Sequence, residues 1–92
     1  MIKGFVCKDT AQLFEVGKNK RFAAVKKAAL LKLDMLNAAH ELVDLRVPPG
    51  NRLEALKGDR KGQHSIRINR QWRICFIWQT HDAKDVEITD YH

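Results

Sequence analysis

The spacing of hydrophobic positions changes once along the chain, at Pro48-Pro49-Gly50-Asn51. Two fixed φ angles and two missing backbone donors stop a helix there, and the glycine permits a sharp turn. Before this point apolar residues recur at three- and four-residue intervals among Ala, Leu and Lys; after it, β-branched and aromatic residues alternate with polar ones. The pattern predicts an α+β domain with helices first and strands second. Ile2 to Val6 reads as a short strand, and Asp9 with Gln12 has capping-box spacing for a helix that Gly17 ends. A longer helix is predicted from Phe22 to about Leu42. Val25, Ala29, Leu33 and Leu36 form one stripe of it, and Ala28, Leu31, Met35, Ala39 and Leu42 form a second beside the first. A face that wide is either core laid across a sheet or, in part, the seat of a partner protein.

Alternation also sets a hairpin register. Ile66 and Ile68 share one face, as do Trp72, Ile74, Phe76 and Trp78. A two-residue loop at Asn69-Arg70 would oppose Ile66 to Arg73 and mix the faces. A loop of Asn69, Arg70 and Gln71 pairs Ile68 with Trp72, Ile66 with Ile74 and Arg67 with Arg73, and is the register expected. Two guanidinium groups opposed across strands repel and cannot deprotonate. They call either for a bound anion such as a phosphate or for a carboxylate from a neighbouring strand. A last strand is expected from Val86 to about Thr89, with Val86 and Ile88 inward.

Composition narrows the functional classes. Ninety-two residues make one domain, 1–92, too small for a deep cofactor cleft, and no metal or cofactor is expected. Seventeen Lys+Arg against 11 Asp+Glu leave +6, which asks for an acidic partner, nucleic acid or an anionic surface. No apolar run approaches a membrane span and the opening residues lack a secretion signal, so a cytoplasmic protein with no membrane partner is expected. Cys7 and Cys75 have no C-x-x-C spacing and read as small buried hydrophobes. Lys18, Lys20, Arg21, Lys26, Lys27 and Lys32 form a run without acidic residues. That run is either a solvated face or a phosphate-backbone contact.

The run from Gly50 to Asn69, containing Leu56-Lys57-Gly58-Asp59-Arg60, the following Gln71-Trp72-Arg73-Ile74-Cys75-Phe76, and the closing Asp90-Tyr91-His92 resemble the HigB toxins of bacterial toxin-antitoxin modules, in the RelE superfamily. The resemblance spans the chain. It implies a RelE-like fold, two N-terminal helices packed on one face of a small, mostly antiparallel twisted sheet. It also implies cleavage of mRNA in the ribosomal decoding site by a toxin neutralised by a HigA-type helix-turn-helix antitoxin, with operator DNA reached only through that antitoxin. Carried over by position, the cleaving residues are Lys57, Arg73, Asp90, Tyr91 and His92, expected on the sheet face away from the helices and at strand ends. Glu54 departs from the histidine of some relatives.

Cleavage of RNA through its 2′-hydroxyl needs a base, an acid for the departing 5′-oxygen, and cations for the phosphorane. His92 suits acid or base duty. Asp90 and Glu54 are candidate bases or orienting groups, Arg73 and Lys57 would hold the phosphate with Arg67 beside them, and Tyr91 would stack on a base or bond the phosphate. The competing expectation is a non-catalytic RNA- or ribosome-binding module that blocks translation by occupancy, for which the basic residues alone would suffice.

Overall fold

The structure is a computed structural model that describes residues 1–90. Two helices, α1 (Lys8–Val16) and α2 (Lys26–Ala38), precede four strands, β1 (Glu54–Ala55), β2 (His64–Arg67), β3 (Trp72–Gln79) and β4 (Asp82–Asp90). The strands form one antiparallel sheet in the order β1-β2-β3-β4. Both helices lie on one face. Leu13 of α1 and Ala29, Leu33 and Leu36 of α2 are fully buried, in one cluster with Ile66, Ile74, Phe76, Val86 and Ile88 of the sheet. Each of the Leu, Ile, Val and Phe side chains in that cluster contributes about 1.5–3 kcal/mol by leaving water.

The expected hairpin register is present: Ile66 faces Ile74 and Arg67 faces Arg73, and the Ile68 N–H donates to the Trp72 carbonyl at 2.9 Å. Asn69 builds the turn, its side-chain oxygen accepting from the N–H groups of Gln71 and Trp72 at 2.8 Å each. Gly17 ends α1 in the left-handed region, φ 88°, as its position predicted. Asp9 lies within α1, however, and Cys7 is at the N-cap, so the capping box expected there is absent. Asp9 and Gln12 instead accept from the Asn19 side-chain amide, at 3.0 and 2.7 Å, which fastens the α1–α2 linker to α1.

Four further expectations need correction. The helix predicted from Phe22 to Leu42 is shorter, because Asp44 takes the N–H groups of His40 and Glu41 at 3.1 and 2.9 Å. A continuing α-helix would have bonded those donors to carbonyls four residues earlier. The chain instead starts a separate 3₁₀ helix, Leu42–Arg46, through a Glu41/Asp44 capping box. Of the two stripes, Ala29, Leu33 and Leu36 are buried, but Ala28 is exposed and Leu31 is 54% exposed.

The segment from Ile2 to Val6 is not a continuous strand. It touches the outer edge of β4 through parallel bridges at Ile2–Ala83 and Phe5–Val86 only. After the double proline the chain turns left-handed at Arg52, φ 46°. Finally, β4 begins at Asp82, well before Val86. One extra β4 residue lies between the Cys75–Glu87 and Ile77–Lys84 pairs, with Asp85 left-handed at φ 52°. This bulge turns both Ala83 and Val86 inward although they are three residues apart.

Two buried polar groups tie the frame together. The Ile88 N–H donates to the buried Thr10 hydroxyl at 3.0 Å, which closes the free edge of β4 against α1. Asn51 is fully buried; its amide donates to the Leu45 carbonyl at 3.1 Å, and its side-chain oxygen accepts from the Lys32 ammonium. Lys32 is thereby a structural tether rather than part of a surface patch.

Candidate functional site

Side-chain alternation turns one row of residues away from the helices. Glu54, Ser65, Cys75 and Glu87 are successive cross-strand partners, and Arg67, Arg73 and Thr89 form the adjacent row. An acid-bordered row therefore lies beside a row with two opposed arginines. Arg73 resolves its part of that repulsion within the fold. Its Nε donates to the Ser65 hydroxyl at 2.8 Å, one terminal nitrogen donates to the Arg52 carbonyl at 2.8 Å, and the same nitrogen lies 3.4 Å from the Glu54 carboxylate. The side chain is only 12% exposed. The left-handed turn at Arg52 is what aims that carbonyl back at the sheet. Arg67 makes a different bond, from its Nε to the Asn69 carbonyl at 2.9 Å, and has no carboxylate partner among the described residues. The neighbouring-strand carboxylate thus satisfies Arg73 but not Arg67.

Sequence reasoning missed two members of this face. Arg60, from the 3₁₀ turn Gly58–Arg60, donates to Glu87 at 2.7 Å and to Gln63 at 3.0 Å. Glu87 lies between inward Val86 and Ile88, so a carboxylate on the open face was legible. Its cation partner, 27 residues away, was not. Cys75 forms the floor between the two ion pairs. It is fully buried, and that burial pushes its thiol above the ordinary value despite the nearby Arg60 and Arg73.

The remaining candidates fall in several places. Lys57 is exposed at the start of the Gly58–Arg60 turn, next to Leu56, whose N–H bonds the Gln63 carbonyl. Asp90 ends β4 opposite Trp72 and accepts from the Gln71 amide at 3.1 Å. It has the alternation of Trp72 and Ile88 rather than of Arg73 and Thr89, so it belongs to the strand end rather than to the open face. Tyr91 and His92 lie outside the described residues.

The lysine run belongs to the helical layer, apart from the open face. Lys18, Lys20 and Lys26 border a hollow of about 610 Å³ between α1 and the start of α2. Lys27 borders a separate, mainly apolar groove of about 920 Å³ with Val25, Ala28, Leu30 and Leu31. Arg21 is set apart from these lysines. It pairs with Asp9 at 3.7 Å and lies over the rings of Phe22 and Trp72, 5.0 and 5.7 Å from their centres.

Among the described residues no helix is long and apolar enough to cross a membrane. Residues 3–92 match the HigB-like toxin family, described as the RelE-like toxin of the type II toxin-antitoxin system HigB. Toxin HigB-1 of Vibrio cholerae is 45% identical over 69 residues, 73% of each chain. A protein named endoribonuclease HigB, from Proteus vulgaris, is 33% identical over 98 aligned positions covering both chains in full. In structure, YafQ from Escherichia coli BL21(DE3) superposes with a TM-score of 0.61 at 12% identity, covering 98% of this chain and 93% of YafQ. A chain of the Staphylococcus aureus YoeB-YefM toxin-antitoxin complex gives 0.58 at 19% identity, covering 100% of this chain and 98% of its own. Those two likenesses carry the fold alone. The match over residues 3–92 and the full-length relative carry the family: this chain belongs to the HigB-like toxins of type II toxin-antitoxin systems.

Proposed function

We propose that this toxin is an endoribonuclease that cuts translated mRNA in the ribosomal decoding site and is silenced by a HigA-type antitoxin, the whole cycle taking place in the cytoplasm. One observation carries the reading. Arg73 is held nearly buried by Ser65, the Arg52 carbonyl and Glu54, on the open sheet face beside Arg67. A cation fixed before substrate arrives is what stabilisation of a phosphorane requires, since no reorganisation is needed as charge develops.

On this reading the scissile phosphate lies across Arg73 and Arg67, with Lys57 reaching it from the adjoining loop. The ribose 2′-oxygen attacks phosphorus, and its proton passes to a carboxylate, Glu54 beside Arg73 or Asp90 at the strand end. The P–O5′ bond breaks and His92 protonates the leaving oxygen, giving a 2′,3′-cyclic phosphate and a 5′-hydroxyl. Tyr91 stacks on a base. The ribosome orders the message, so that positioning does much of the work that a larger enzyme would do with its own cleft. The endoribonuclease name of the full-length Proteus vulgaris relative supports the chemistry, and the toxin-antitoxin complex of YoeB with YefM supports regulation by a bound antitoxin.

The antitoxin's seat is assigned to the helical layer. There an exposed apolar groove containing Leu31 is bordered by Lys26 and Lys27 against a single carboxylate, Asp34, a net positive rim suited to an acidic, helix-presenting segment. The test is mRNA cleavage on programmed ribosomes, mapped by primer extension, with and without the neighbouring gene product. New 5′ ends inside codons, abolished by an Arg73→Ala, His92→Ala double variant, are expected. Stalled translation with intact message would replace cleavage by occupancy, and full cleavage by the double variant would overturn the assigned chemistry.

A further inference from the structure

The Leu56-Lys57-Gly58-Asp59-Arg60 motif is only partly used by the chemistry above, which takes Lys57 alone. The segment 57–63 is a loop between β1 and β2 whose backbone bonds are local: Arg60 N–H to the Lys57 carbonyl at 3.3 Å, Lys61 N–H to Gly58 at 3.1 Å, and Gln63 N–H to Arg60 at 2.9 Å. Such bonds shape the loop, and the Leu56 N–H to Gln63 carbonyl bond, 2.9 Å, closes its base beside β2, but none of them ties the loop to the central strands. β1 is two exposed residues long, so pairing on that side is a weak anchor. The Arg60 side chain reaches out of the loop to Glu87 on β4, two strands beyond β2. The 2.7 Å ion pair is half-buried, at 31% and 26% exposure, where screening is weaker than at an open surface. Gln63, at the far end of the loop, bonds the same guanidinium nitrogen at 3.0 Å. One cation therefore ties both the turn after Lys57 and the return to β2 onto the central sheet. Cys75, the cross-strand partner of Glu87, lies between this pair and the Arg73–Glu54 pair, so both are built on one floor.

We infer that Arg60 is a positioning residue of the cleavage reaction: clamped to Glu87, it fixes the 57–63 loop so that Lys57 stands over the same phosphate as Arg73. This rests on the endoribonuclease reading and adds a residue to it. Misplacing a catalytic group by about 1 Å can cost on the order of 10²-fold in rate, so loss of the clamp should be felt at Lys57 without any change in what Lys57 is.

The experiment measures single-turnover cleavage on programmed ribosomes for the full chain, Arg60→Ala, Lys57→Ala and the double variant. A Glu87→Gln variant and the exchange Arg60→Glu with Glu87→Arg complete the set, with circular dichroism establishing that each is folded. Arg60→Ala and Glu87→Gln should each lower the cleavage rate about tenfold with ribosome affinity within about threefold of the parent, by the same misplacement argument. Arg60→Ala should have little further effect once Lys57 is Ala, because the clamp acts through that side chain. The exchanged pair should recover most of the lost rate. Independent, multiplying effects of Arg60→Ala and Lys57→Ala, or an unchanged rate in Glu87→Gln, would overturn the inference. If Arg60→Ala does not fold, Glu87→Gln carries the test. Absence of cleavage by the parent chain would instead refute the endoribonuclease reading, so the two failures are distinct.

Discussion

Replacing Thr10 by valine keeps nearly the same shape and removes one hydroxyl, which bonds both the Ile88 N–H and the Cys7 thiol, so a readout at Ile88 itself is what tests how the site's last strand is held. Thr10 is fully buried, and its Oγ accepts the Ile88 N–H at 3.0 Å across 78 residues of sequence. Ile88 is itself buried, two residues before the end of β4 at Asp90. Valine offers that N–H nothing, and both Thr10 and Ile88 are shut off from solvent. A buried donor left unpaired costs about 1–3 kcal/mol, against a small gain from the added methyl. In a domain of this size each kcal/mol lowers Tm by roughly 4–8 °C. Thr10→Ser is the control: it keeps the acceptor and loses one methyl, for about 0.5–1.5 kcal/mol by analogy with buried Ile→Val changes. Urea unfolding, read as a midpoint shift at constant slope, gives the energies, and amide exchange at Ile88 gives the location. Valine should lower stability at least as much as serine and deprotect the Ile88 amide. If Thr10→Val lies within about 0.5 kcal/mol of the parent with Ile88 still protected, the bond does not hold the β4 edge and the reasoning fails.

Two further outcomes follow from local geometry. Asp85 is exposed and left-handed at the β4 bulge, a conformation that costs a residue with a Cβ about 1–2 kcal/mol. Asp85→Gly should therefore be neutral or stabilising in urea melts, and Asp85→Val destabilising by about 1–2 kcal/mol; a valine variant as stable as the glycine variant would show that the bulge is not held left-handed. At Cys7, burial alone would raise the thiol, but hydrogen bonds from the Thr10 side chain and the Thr10 and Asp9 backbone, with Arg21 nearby, outweigh it and hold the pKa below the ordinary value. Iodoacetamide should then alkylate Cys7 with a pH midpoint below that of a free thiol, while Cys75 reacts only on unfolding. Native Cys7 holds fewer protons than unfolded Cys7 between the lowered and ordinary pKa values, so its contribution to stability rises with pH across that window. Arg21→Ala should move the alkylation midpoint upward, and an unmoved midpoint would remove Arg21 from that account.

How much of this was legible beforehand depended on whether one rule settled the question. Period two admits few registers, and only the Asn69-Arg70-Gln71 loop keeps Ile66 and Ile74 on one face, so the Arg67–Arg73 opposition followed from sequence. Alternation likewise turned Val86 and Ile88 inward, from which Glu87 could have been read as outward. Where two rules competed, the reading failed. Helical periodicity ran to Leu42, yet Asp44 captured the donors of His40 and Glu41 and the helix ended at Ala38. β4 was read as starting late because the Asp85 bulge breaks the period that would have revealed Ala83. β1 was invisible, since two exposed residues carry no hydrophobic pattern.

The site inherits this division. Which groups face outward is a matter of alternation, but which groups pair is decided by where the irregular segments come to rest. Glu54 reaches Arg73 because the chain turns left-handed at Arg52, and Arg60 reaches Glu87 because a locally bonded loop folds back over Cys75. A carboxylate for Arg73 was expected from alternation, but the Arg52 carbonyl that also holds it follows only from the turn. A glycine at Arg52 would accept the turn's φ without strain, yet it would also loosen the carbonyl that holds the guanidinium. The same substitution that relaxes the backbone should then weaken the site, because a rigid cation stabilises a developing charge better than a mobile one.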